Sequence, residues 1–305
     1  MITVAGFNTA IDRLLRVGKF APGKVMRADH SHVSPGGKGV HVAQALAVLG
    51  KEVQLIGLVD EAHAAFLTHR LAERGVSFIG VPMPGDLRTC LAIVEADGRT
   101  SEVLERGPAI ATEIIDALLE ACRTALPGSR ALVMSGSLPT GMAADTYARL
   151  CASADIPCVV DASGETLFHA SRARPYLLKP NGDEAAHLIG RDVTGIDDAI
   201  AAARHLLDSG VAHPVVTLGA EGAVAVDAQR AWHATLALDA VRNTVGSGDC
   251  FLAGITAGLL QGDDLAEALR LGVACGAANA LNEETGWMDN ATVSQLLPRV
   301  TVRSL

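Results

Sequence analysis

The stretch with the clearest chemistry is 243–260, which is polar and glycine-rich up to Gly248 and helical in pattern beyond it. A helix that begins near Ser247 presents backbone N–H groups without intrahelical partners, and its dipole adds positive charge, so an anion can bind there. Gly246 and Gly248 lack side chains that would keep the anion away. Asp249 is unexpected, because a carboxylate beside an anion site is repulsive unless it takes part in the chemistry.

Two interpretations of Asp249 stay open at this point. In the first, the carboxylate only caps or charges the first turn of the helix. In the second, it orients a substrate hydroxyl group and takes its proton, while the N–H groups behind it hold a transferring phosphoryl group. Phosphoryl transfer suits this arrangement, because its loose transition state needs mainly positioning, charge stabilisation and a proton acceptor.

Two other glycine motifs do not fit the chain. A dinucleotide fingerprint needs a third glycine where Phe251 stands, and it belongs after an early strand, whereas this stretch lies late in the chain. A Walker A loop needs Ser or Thr after Gly-Lys, but Gly37-Lys38 is followed by Gly39. NAD binding is therefore weakly supported, and a P-loop is excluded.

Composition narrows the class of protein. The 305 residues are 49% hydrophobic but only 3% aromatic, which indicates an α/β core of aliphatic side chains and alanine. The net charge of −9 argues against a nucleic-acid binder. We see neither a signal peptide nor a membrane span, and we expect a cytoplasmic protein. The six cysteines are dispersed, so neither zinc nor a disulfide framework is indicated.

A second glycine-rich loop opens a helix near the N-terminus. Gly36-Gly37-Lys38-Gly39 leads into an amphipathic pattern that runs to about residue 49 and ends at Gly50. Three glycines around a lysine at a helix start indicate close approach of the backbone to a ligand, although the same residues also suit a plain turn.

Two segments without helical periodicity interrupt the first third of the chain, at about 8–33 and 85–106. The second contains apolar runs at 89–95 and 100–104 around the turn Asp97-Gly98, which predicts a β-hairpin. The simplest arrangement joins both segments in one small sheet that covers the active site and excludes water. We therefore predict a single domain over 1–305 with a β-sheet lid.

Elsewhere strands and helices alternate, which predicts an α/β fold with a mostly parallel central sheet and helices on both faces. The predicted elements include helices at 112–125, 143–153, 197–209, 247–262 and 264–281, and strands at 53–59, 131–134, 158–161, 176–179 and 215–218. Ligands of such folds bind at the carboxyl ends of the strands.

One loop at such a strand end carries Asn181 and Glu184, three residues apart at a helix start. Both side chains can face one point and support a hydrated Mg²⁺ ion. The same spacing also suits a pair that caps the helix. The sequence favours neither interpretation.

Three motifs, in order, resemble the PfkB (ribokinase-like) family of carbohydrate kinases over essentially the whole chain. They are Gly36-Gly37-Lys38-Gly39-Val40-His41-Val42-Ala43, Lys179-Pro180-Asn181-x-x-Glu184 and Asn243-Thr244-Val245-Gly246-Ser247-Gly248-Asp249. Asn8-x-Ala10-x-Asp12, 135–139 and 161–165 are similar to the branch of 1-phosphofructokinases and tagatose-6-phosphate kinases. The resemblance implies a ribokinase-like three-layer α/β/α fold and ATP-dependent phosphorylation of a sugar that already carries a phosphate.

The resemblance also implies roles for matching residues. The catalytic residues would be Asp249 as the base and Gly246, Ser247 and Gly248 as the anion hole. The residues at the sugar would be Asp12, Gly37, Lys38 and His41. The residues at the existing sugar phosphate would be Lys24, Arg27 and Arg88. The residues at ATP would be Lys179, Asn181, Thr217, Gly219, Gly222 and Asn279. Glu184 and Asn181 would organise Mg²⁺, and a requirement for a monovalent cation stays open.

Two positions depart from the family pattern. His41 stands where the family usually has asparagine, and Thr9 stands where the branch usually has proline. An asparagine offers a donor and an acceptor at fixed angles, whereas an imidazole is larger and titratable. The identity of the sugar therefore stays open.

Two alternatives to a phosphosugar kinase remain. The first is a kinase for an unphosphorylated sugar, polyol or nucleoside, and the second is a non-catalytic sugar- or nucleotide-binding protein, which the intact Asp249 motif disfavours. Uncovered edges of the small sheet also make a homodimer through the lid a hypothesis.

Overall fold

The computed structural model describes all 305 residues. Its strands are β1 (Ile2–Ala5), β2 (Ala10–Val17), β3 (His30–Gly36), β4 (Val53–Val59), β5 (Val76–Pro82), β6 (Arg88–Glu95), β7 (Thr100–Leu104), β8 (Leu132–Ser135), β9 (Cys158–Asp161), β10 (Leu177–Leu178), β11 (His213–Thr217), β12 (Ala223–Val226), β13 (Ala231–Thr235) and β14 (Thr301–Ser304). Its helices are α1 (Lys38–Val48), α2 (Ala64–Glu73), α3 (Thr112–Ala125), α4 (Thr146–Ser153), α5 (Gly164–Arg172), α6 (Gly182–Ile189), α7 (Ile196–Asp208), α8 (Ser247–Gln261), α9 (Leu265–Ala280) and α10 (Asn290–Leu296).

Ten strands form the large sheet, in the order β14-β13-β12-β11-β10-β9-β8-β1-β4-β5. Every pairing from β11 to β5 is parallel, and the three pairings from β11 to β14 are antiparallel. Strands β1, β8 and β9 are buried along their whole length, as expected for parallel strands covered on both faces. None of the helices combines the length and the hydropathy that a bilayer span demands.

The two β-rich excursions form a separate four-stranded sheet, in the order β3-β2-β6-β7. Strand β2 lies at its centre, antiparallel to β3 and parallel to β6, and Ala10 is in register with both Gly36 and Arg88. The α/β fold class is therefore confirmed, with a mostly parallel sheet, flanking helices and a small second sheet.

Helices α8 and α9 pack closely because glycines face the contact. A Cβ on Gly254 would lie 2.8 Å from Cys275 Sγ, and one on Gly258 would lie 2.9 Å from the Cα of Ala268. Cys250 is fully buried in α8, and burial raises the pKa of its thiol well above the usual value, which disfavours a nucleophilic thiolate. The contact positions α8 against α9.

Several predicted boundaries differ from the structure. The helix predicted at 143–153 begins at Thr146, because the three residues before it form a turn in which the Thr146 N–H group donates to the Ala143 carbonyl at 3.0 Å. The strand predicted at 176–179 is only Leu177–Leu178. Strands β5 and β14 were not predicted, whereas the helix at 112–125 and the strands at 53–59 and 158–161 match to the residue.

Candidate active site

The parallel strands deliver their polar loops to one edge of the large sheet. Strand β8 ends at Ser135, β9 ends at Asp161 and β11 ends at Thr217, and Lys179 directly follows β10. Because these strands run in the same direction, the four residues lie at the same carboxyl edge. The N-terminal ends of α1 and α8 also lie at this edge, and they carry the remaining polar groups of the site.

Helix α8 begins directly after Gly246, whose left-handed φ of 84° favours glycine. A side chain would not fit, since a Cβ there would lie 2.4 Å from Gly286 Cα. The N–H groups of Ser247 and Asp249 donate to carbonyls of the turn, whereas those of Gly246 and Gly248 donate to no acceptor within the chain. Two N–H groups of this helix start therefore remain available to an anion.

Asn279 of α9 holds the loop that precedes α8. Its Nδ2 lies 2.9 Å from Ser247 Oγ and 3.0 Å from the Val245 carbonyl oxygen, and the residue is fully buried. Asn279 was expected at ATP, but it is absent from the lining of the neighbouring cavity, and its amide group is committed to the loop. The structure thus places it as a support of the loop that precedes α8.

Asp12 of β2, His41 of α1 and Asp249 of α8 form one chain of hydrogen bonds. His41 Nε2 lies 2.9 Å from Asp12 Oδ2, and His41 Nδ1 lies 2.8 Å from Asp249 Oδ2. All three residues are buried. Burial by itself would lower the pKa of His41, but the bonds to both carboxylates outweigh it and raise that pKa to about 10.

A second buried carboxylate, Asp161, lies between two lysines. Lys38 Nζ is 3.6 Å from its Oδ1, and Lys179 Nζ is 3.2 Å from its Oδ2. Burial alone would raise the pKa of Asp161, but the two ammonium groups hold it below its usual value, and Asp161 in turn raises the pKa of Lys38. Lys179 Nζ is also 3.7 Å from where a Cβ on Gly248 would lie, so its charge adjoins the free N–H group of Gly248.

A cavity of about 600 Å³ opens beside the start of α8. Its size suits a small ligand, and Ser247 and Gly248 belong to its wall. Four of the residues expected at ATP also line it, namely Asn181, Thr217, Gly219 and Gly222. Leucine, valine and alanine side chains of the segment after β13 and of α9 complete an apolar wall. Lys179, also expected at ATP, lies outside this lining and beside Asp161 instead.

Asn181 and Glu184 cap helix α6. The Glu184 N–H group donates to Asn181 Oδ1 at 2.8 Å, and the Asn181 N–H group donates to Glu184 Oε2 at 2.9 Å. The capping arrangement that the sequence left open is therefore present. The chain has no cluster of three or more His, Cys, Asp or Glu residues placed to hold a metal ion, so this carboxylate would be a single ligand.

The three basic residues expected at one phosphate lie apart. Arg88 starts β6 beside Gly37, and its guanidinium group donates to the Asn8 carbonyl at 2.9 Å. Lys24 and Arg27 are exposed in the loop between β2 and β3, at the opposite end of the small sheet. Because β2 spans 8 residues, the two ends are about 25 Å apart. One chain does not bring these three residues to one phosphate.

Two residues of the site received no role from the sequence. Asp161 was noticed only as part of the segment 161–165, although its place at the end of a buried strand is a usable signal. Gly286 contacts both His41 and Gly246, but it stands in an irregular segment whose spacing carries no signal. Its importance follows only from the tertiary packing.

Comparison with known proteins places this arrangement among kinases. A family model described as "pfkB family carbohydrate kinase" matches residues 3–290. A 1-phosphofructokinase from Bacillus subtilis is 30% identical over 308 residues that cover 100% of both chains. A tagatose-6-phosphate kinase from Staphylococcus epidermidis is 29% identical and covers 99% of both chains.

The fold also matches a solved enzyme. Phosphofructokinase-2 from Escherichia coli, in complex with substrates and products, has a TM-score of 0.91 and 30% identity, and the match covers 97% of this chain and 98% of that one. The same enzyme has been solved in complex with potassium, with a TM-score of 0.89, and in a tetrameric inhibited form, with a TM-score of 0.88.

Proposed function

Since the chain belongs to the pfkB family of carbohydrate kinases, we propose that it transfers a phosphoryl group from ATP to a hydroxyl group of a sugar phosphate of the fructose 1-phosphate or tagatose 6-phosphate type. Family membership makes the chain an enzyme, a carbohydrate kinase, and removes the basis for a non-catalytic binding protein. The observation that carries the proposal is the placement of the Asp249 carboxylate beside the free N–H groups of Gly246 and Gly248.

Asp249 is the base in this proposal. The substrate oxygen forms a bond to the γ-phosphorus of ATP, the bond between that phosphorus and the β–γ bridging oxygen breaks, and ADP leaves with the bond's electrons. The hydroxyl proton goes to Asp249. His41 Nδ1 already occupies Oδ2 of this carboxylate, so Oδ1 is the oxygen left for the proton. The carboxylate contributes mainly orientation and proton acceptance, as phosphoryl transfer requires.

The anion hole consists of the N–H groups of Gly246 and Gly248, and Lys179 supports it. Charge that builds on the transferring group is stabilised by donors that are already oriented and need no rearrangement. Asp161 holds the Lys179 ammonium group in place, with its Oδ2 3.2 Å from Lys179 Nζ. Ser247 contributes less through its N–H group, which the turn uses, and more through the hydroxyl group that ties the loop to Asn279.

The nucleotide occupies the cavity of about 600 Å³ in this proposal. Its apolar wall suits a base, and Thr217, Gly219 and Gly222 offer backbone and hydroxyl groups. The end formed by Ser247 and Gly248 directs the phosphates toward Asp249. The volume and the free N–H groups both fit a nucleoside triphosphate.

A divalent cation fits beside this cavity through Glu184. Mg²⁺ usually keeps several waters and takes only one or two protein carboxylates together with substrate phosphates, so a single carboxylate is sufficient. Glu184 Oε2 caps Asn181, which leaves Oε1 for the hydrated ion. Bound there, the cation would neutralise phosphate charge.

Asp12, Gly37 and Lys38 bind the sugar, and Arg88 binds its phosphate. Lys24 and Arg27 are too distant to join Arg88 within one chain, so they serve the same phosphate only if a second copy supplies them. We retain the homodimer through the small sheet, acting as a lid, as part of this proposal. Val103 and Leu104 of the edge strand β7 are 61% and 57% exposed, as an uncovered edge would be.

The experiment is ADP release with Mg-ATP across fructose 1-phosphate, fructose 6-phosphate, tagatose 6-phosphate, fructose, ribose and adenosine. We expect turnover with at least one phosphorylated sugar and loss of that turnover in Arg88→Ala through a raised KM. Turnover confined to the last three compounds would contradict the phosphosugar proposal while keeping the kinase chemistry. No ADP release with any compound would contradict both.

One observation favours the alternative, a kinase for an unphosphorylated sugar, polyol or nucleoside. The guanidinium group of Arg88 already donates to the carbonyl oxygens of Asn8 and Glu105. If this is its whole role, Arg88 is not available to a sugar phosphate. Under that alternative, Arg88→Ala lowers stability and leaves the ratio of KM values for phosphorylated and neutral sugars unchanged.

A further inference from the structure

His41 lies between two carboxylates and contacts no other polar side chain. Each ring nitrogen is within 2.9 Å of an aspartate oxygen, from Asp12 on one side and Asp249 on the other. A neutral imidazole has one N–H group, so its second nitrogen would present a lone pair to a carboxylate oxygen. Between two carboxylates, only the imidazolium, with two N–H groups, satisfies both contacts. The geometry therefore selects the charged ring.

The ring also has a space shaped for it. A Cβ on Gly286 would lie 2.2 Å from both Cγ and Cδ2 of His41, so this glycine is what allows the ring to fit. The Gly286 backbone has φ 62° and also contacts Gly246 at the start of α8. His41 is 4% exposed. The ring is thus held in one position by packing as well as by its two hydrogen bonds.

Both ring nitrogens are used inside the protein. The sugar-binding role expected for His41 needs a free donor or acceptor, as the asparagine usual at this position would offer. In this chain a substrate hydroxyl group can reach the aspartates but finds no free nitrogen on the ring. His41 therefore acts on the reaction through its two neighbours.

We propose that His41 is a positioning residue that clamps Asp12 and Asp249 at a fixed separation, turns Asp249 Oδ1 toward the substrate hydroxyl group and cancels the negative charge of one carboxylate near the transferring phosphoryl group. The proposal rests on the kinase function above. It concerns orientation and charge, whereas the choice between sugars is left to other residues.

The charges around Asp12, His41 and Asp249 explain why a positive ring is needed there. Besides Asp12 of β2 and Asp249 of α8, the titratable groups facing it are Cys90 of β6, Glu102 of β7 and Lys38 of α1. Without a charged ring, three carboxylates and one ammonium group would surround the path of an anionic phosphoryl group. With it, the charges are nearly balanced, and the high pKa of His41 keeps them so at neutral pH.

The first test is spectroscopic and independent of turnover. In ¹⁵N-labelled protein at pH 8, the His41 ring, assigned by its disappearance in His41→Asn, should show two protonated nitrogens. It should lose a proton only near pH 10. A ring that is neutral at pH 8 would overturn the proposal, whether or not a substrate is known.

The second test is kinetic, with His41→Asn and with His213→Asn as the matched control at the far end of β11. In His41→Asn we expect kcat to fall about 10- to 100-fold, as for other losses of alignment, while KM for the sugar changes little. In the wild type we expect kcat to fall above about pH 10, and we expect this fall to be absent from His41→Asn. A raised KM with unchanged kcat and pH profile would make His41 a sugar ligand and overturn the proposal.

The two tests separate failure of the proposal from failure of the function. If the wild type turns over a sugar but His41→Asn matches it at every pH, the clamp is refuted and the kinase function stands. If the wild type turns over nothing, the function fails, and the ring spectrum still decides whether the charged clamp exists.

Discussion

Helices α1 and α8 both begin after a glycine with positive φ, 94° at Gly37 and 84° at Gly246, and neither start has a side-chain cap. Both follow glycine-rich loops that look alike in sequence. In the structure they make opposite contributions. The α1 start supplies positive side chains, Lys38 and His41, whereas the α8 start supplies backbone N–H groups and the Asp249 carboxylate.

The glycines of the two starts also serve different neighbours. At α1, a Cβ on Gly39 would lie 2.2 Å from the Cα of Gly6, so this glycine lets the helix lie against the chain that leaves β1. At α8, Gly246 lies against Gly286, and Gly248 leaves its N–H group unpaired beside the large cavity. A glycine-rich helix start therefore indicates that another group approaches the backbone closely. The tertiary structure decides whether that group belongs to the protein or to a ligand.

Asp249→Asn should show the largest effect, because it removes the proposed proton acceptor at the α8 start. We expect kcat to fall about 10³- to 10⁴-fold with little change in the melting temperature. Asp208→Asn, on the exposed end of α7, is the matched control and should keep full activity. Steady-state ADP release measures both. An Asp249→Asn enzyme with a tenth or more of the wild-type kcat would refute the assignment of the base.

Gly246→Ala tests the backbone half of the α8 start. Its new Cβ would collide with Gly286 Cα at 2.4 Å and displace the loop that carries the free N–H groups. We expect kcat to fall about 10²- to 10³-fold, as when an anion-hole donor is lost. Gly262→Ala is the control at the other end of α8, since it has φ 95° but open space around it. Similar kcat values in both variants would show that backbone strain, and not the anion site, explains the loss.

The contrast between the two helix starts explains what could be predicted. Each start was found from its glycines and apolar repeat, and the strand at 53–59 was found because six of its seven residues are buried. Strand β14 has no such pattern, since three of its four residues are exposed on the sheet edge. Local periodicity identifies elements that face the core and misses those that face water.

Local periodicity does not show which site residues bond to one another. Asp249 and His41 are 208 positions apart, and Asp12 and His41 are 29 apart, so no spacing rule connects them. The sequence identified all three residues, but it gave them separate roles. Asp12 and His41 were assigned to the sugar, and Asp249 was assigned as the base. That they bond to one another depends on how α1, β2 and α8 pack.

Gly39→Ala addresses the α1 start, where the glycine contacts protein. The added methyl group meets backbone, which cannot move aside as a flexible side chain would. We expect the free energy of unfolding to fall by about 1–3 kcal/mol, as in other overpacked sites. Gly18→Ala, with no atom within 4 Å, is the control and should unfold like the wild type. Urea unfolding compares them, and equal midpoints would mean that α1 can shift freely against the segment around Gly6.

The last effect concerns the proton that His41 of α1 carries. This ring titrates near 6.5 in the unfolded chain and near 10 in the folded one. Between these values the native state binds one more proton than the unfolded state, so the free energy of unfolding falls as pH rises, by about 1 kcal/mol per pH unit. The stabilisation is complete below pH 6.5 and lost once the pH passes about 10.

The His41→Asn variant carries no such proton, so its free energy of unfolding should decline less steeply between pH 7 and pH 9. Urea unfolding at several pH values in this range measures the difference in slope from the wild type. His213→Asn is the control, because burial lowers the pKa of His213 and its titration falls below the range. If the free energy of unfolding fell with pH equally in the wild type and in His41→Asn, the folded protein would bind no extra proton at His41. The start of α1 would then not place a positive charge beside Asp249 of α8.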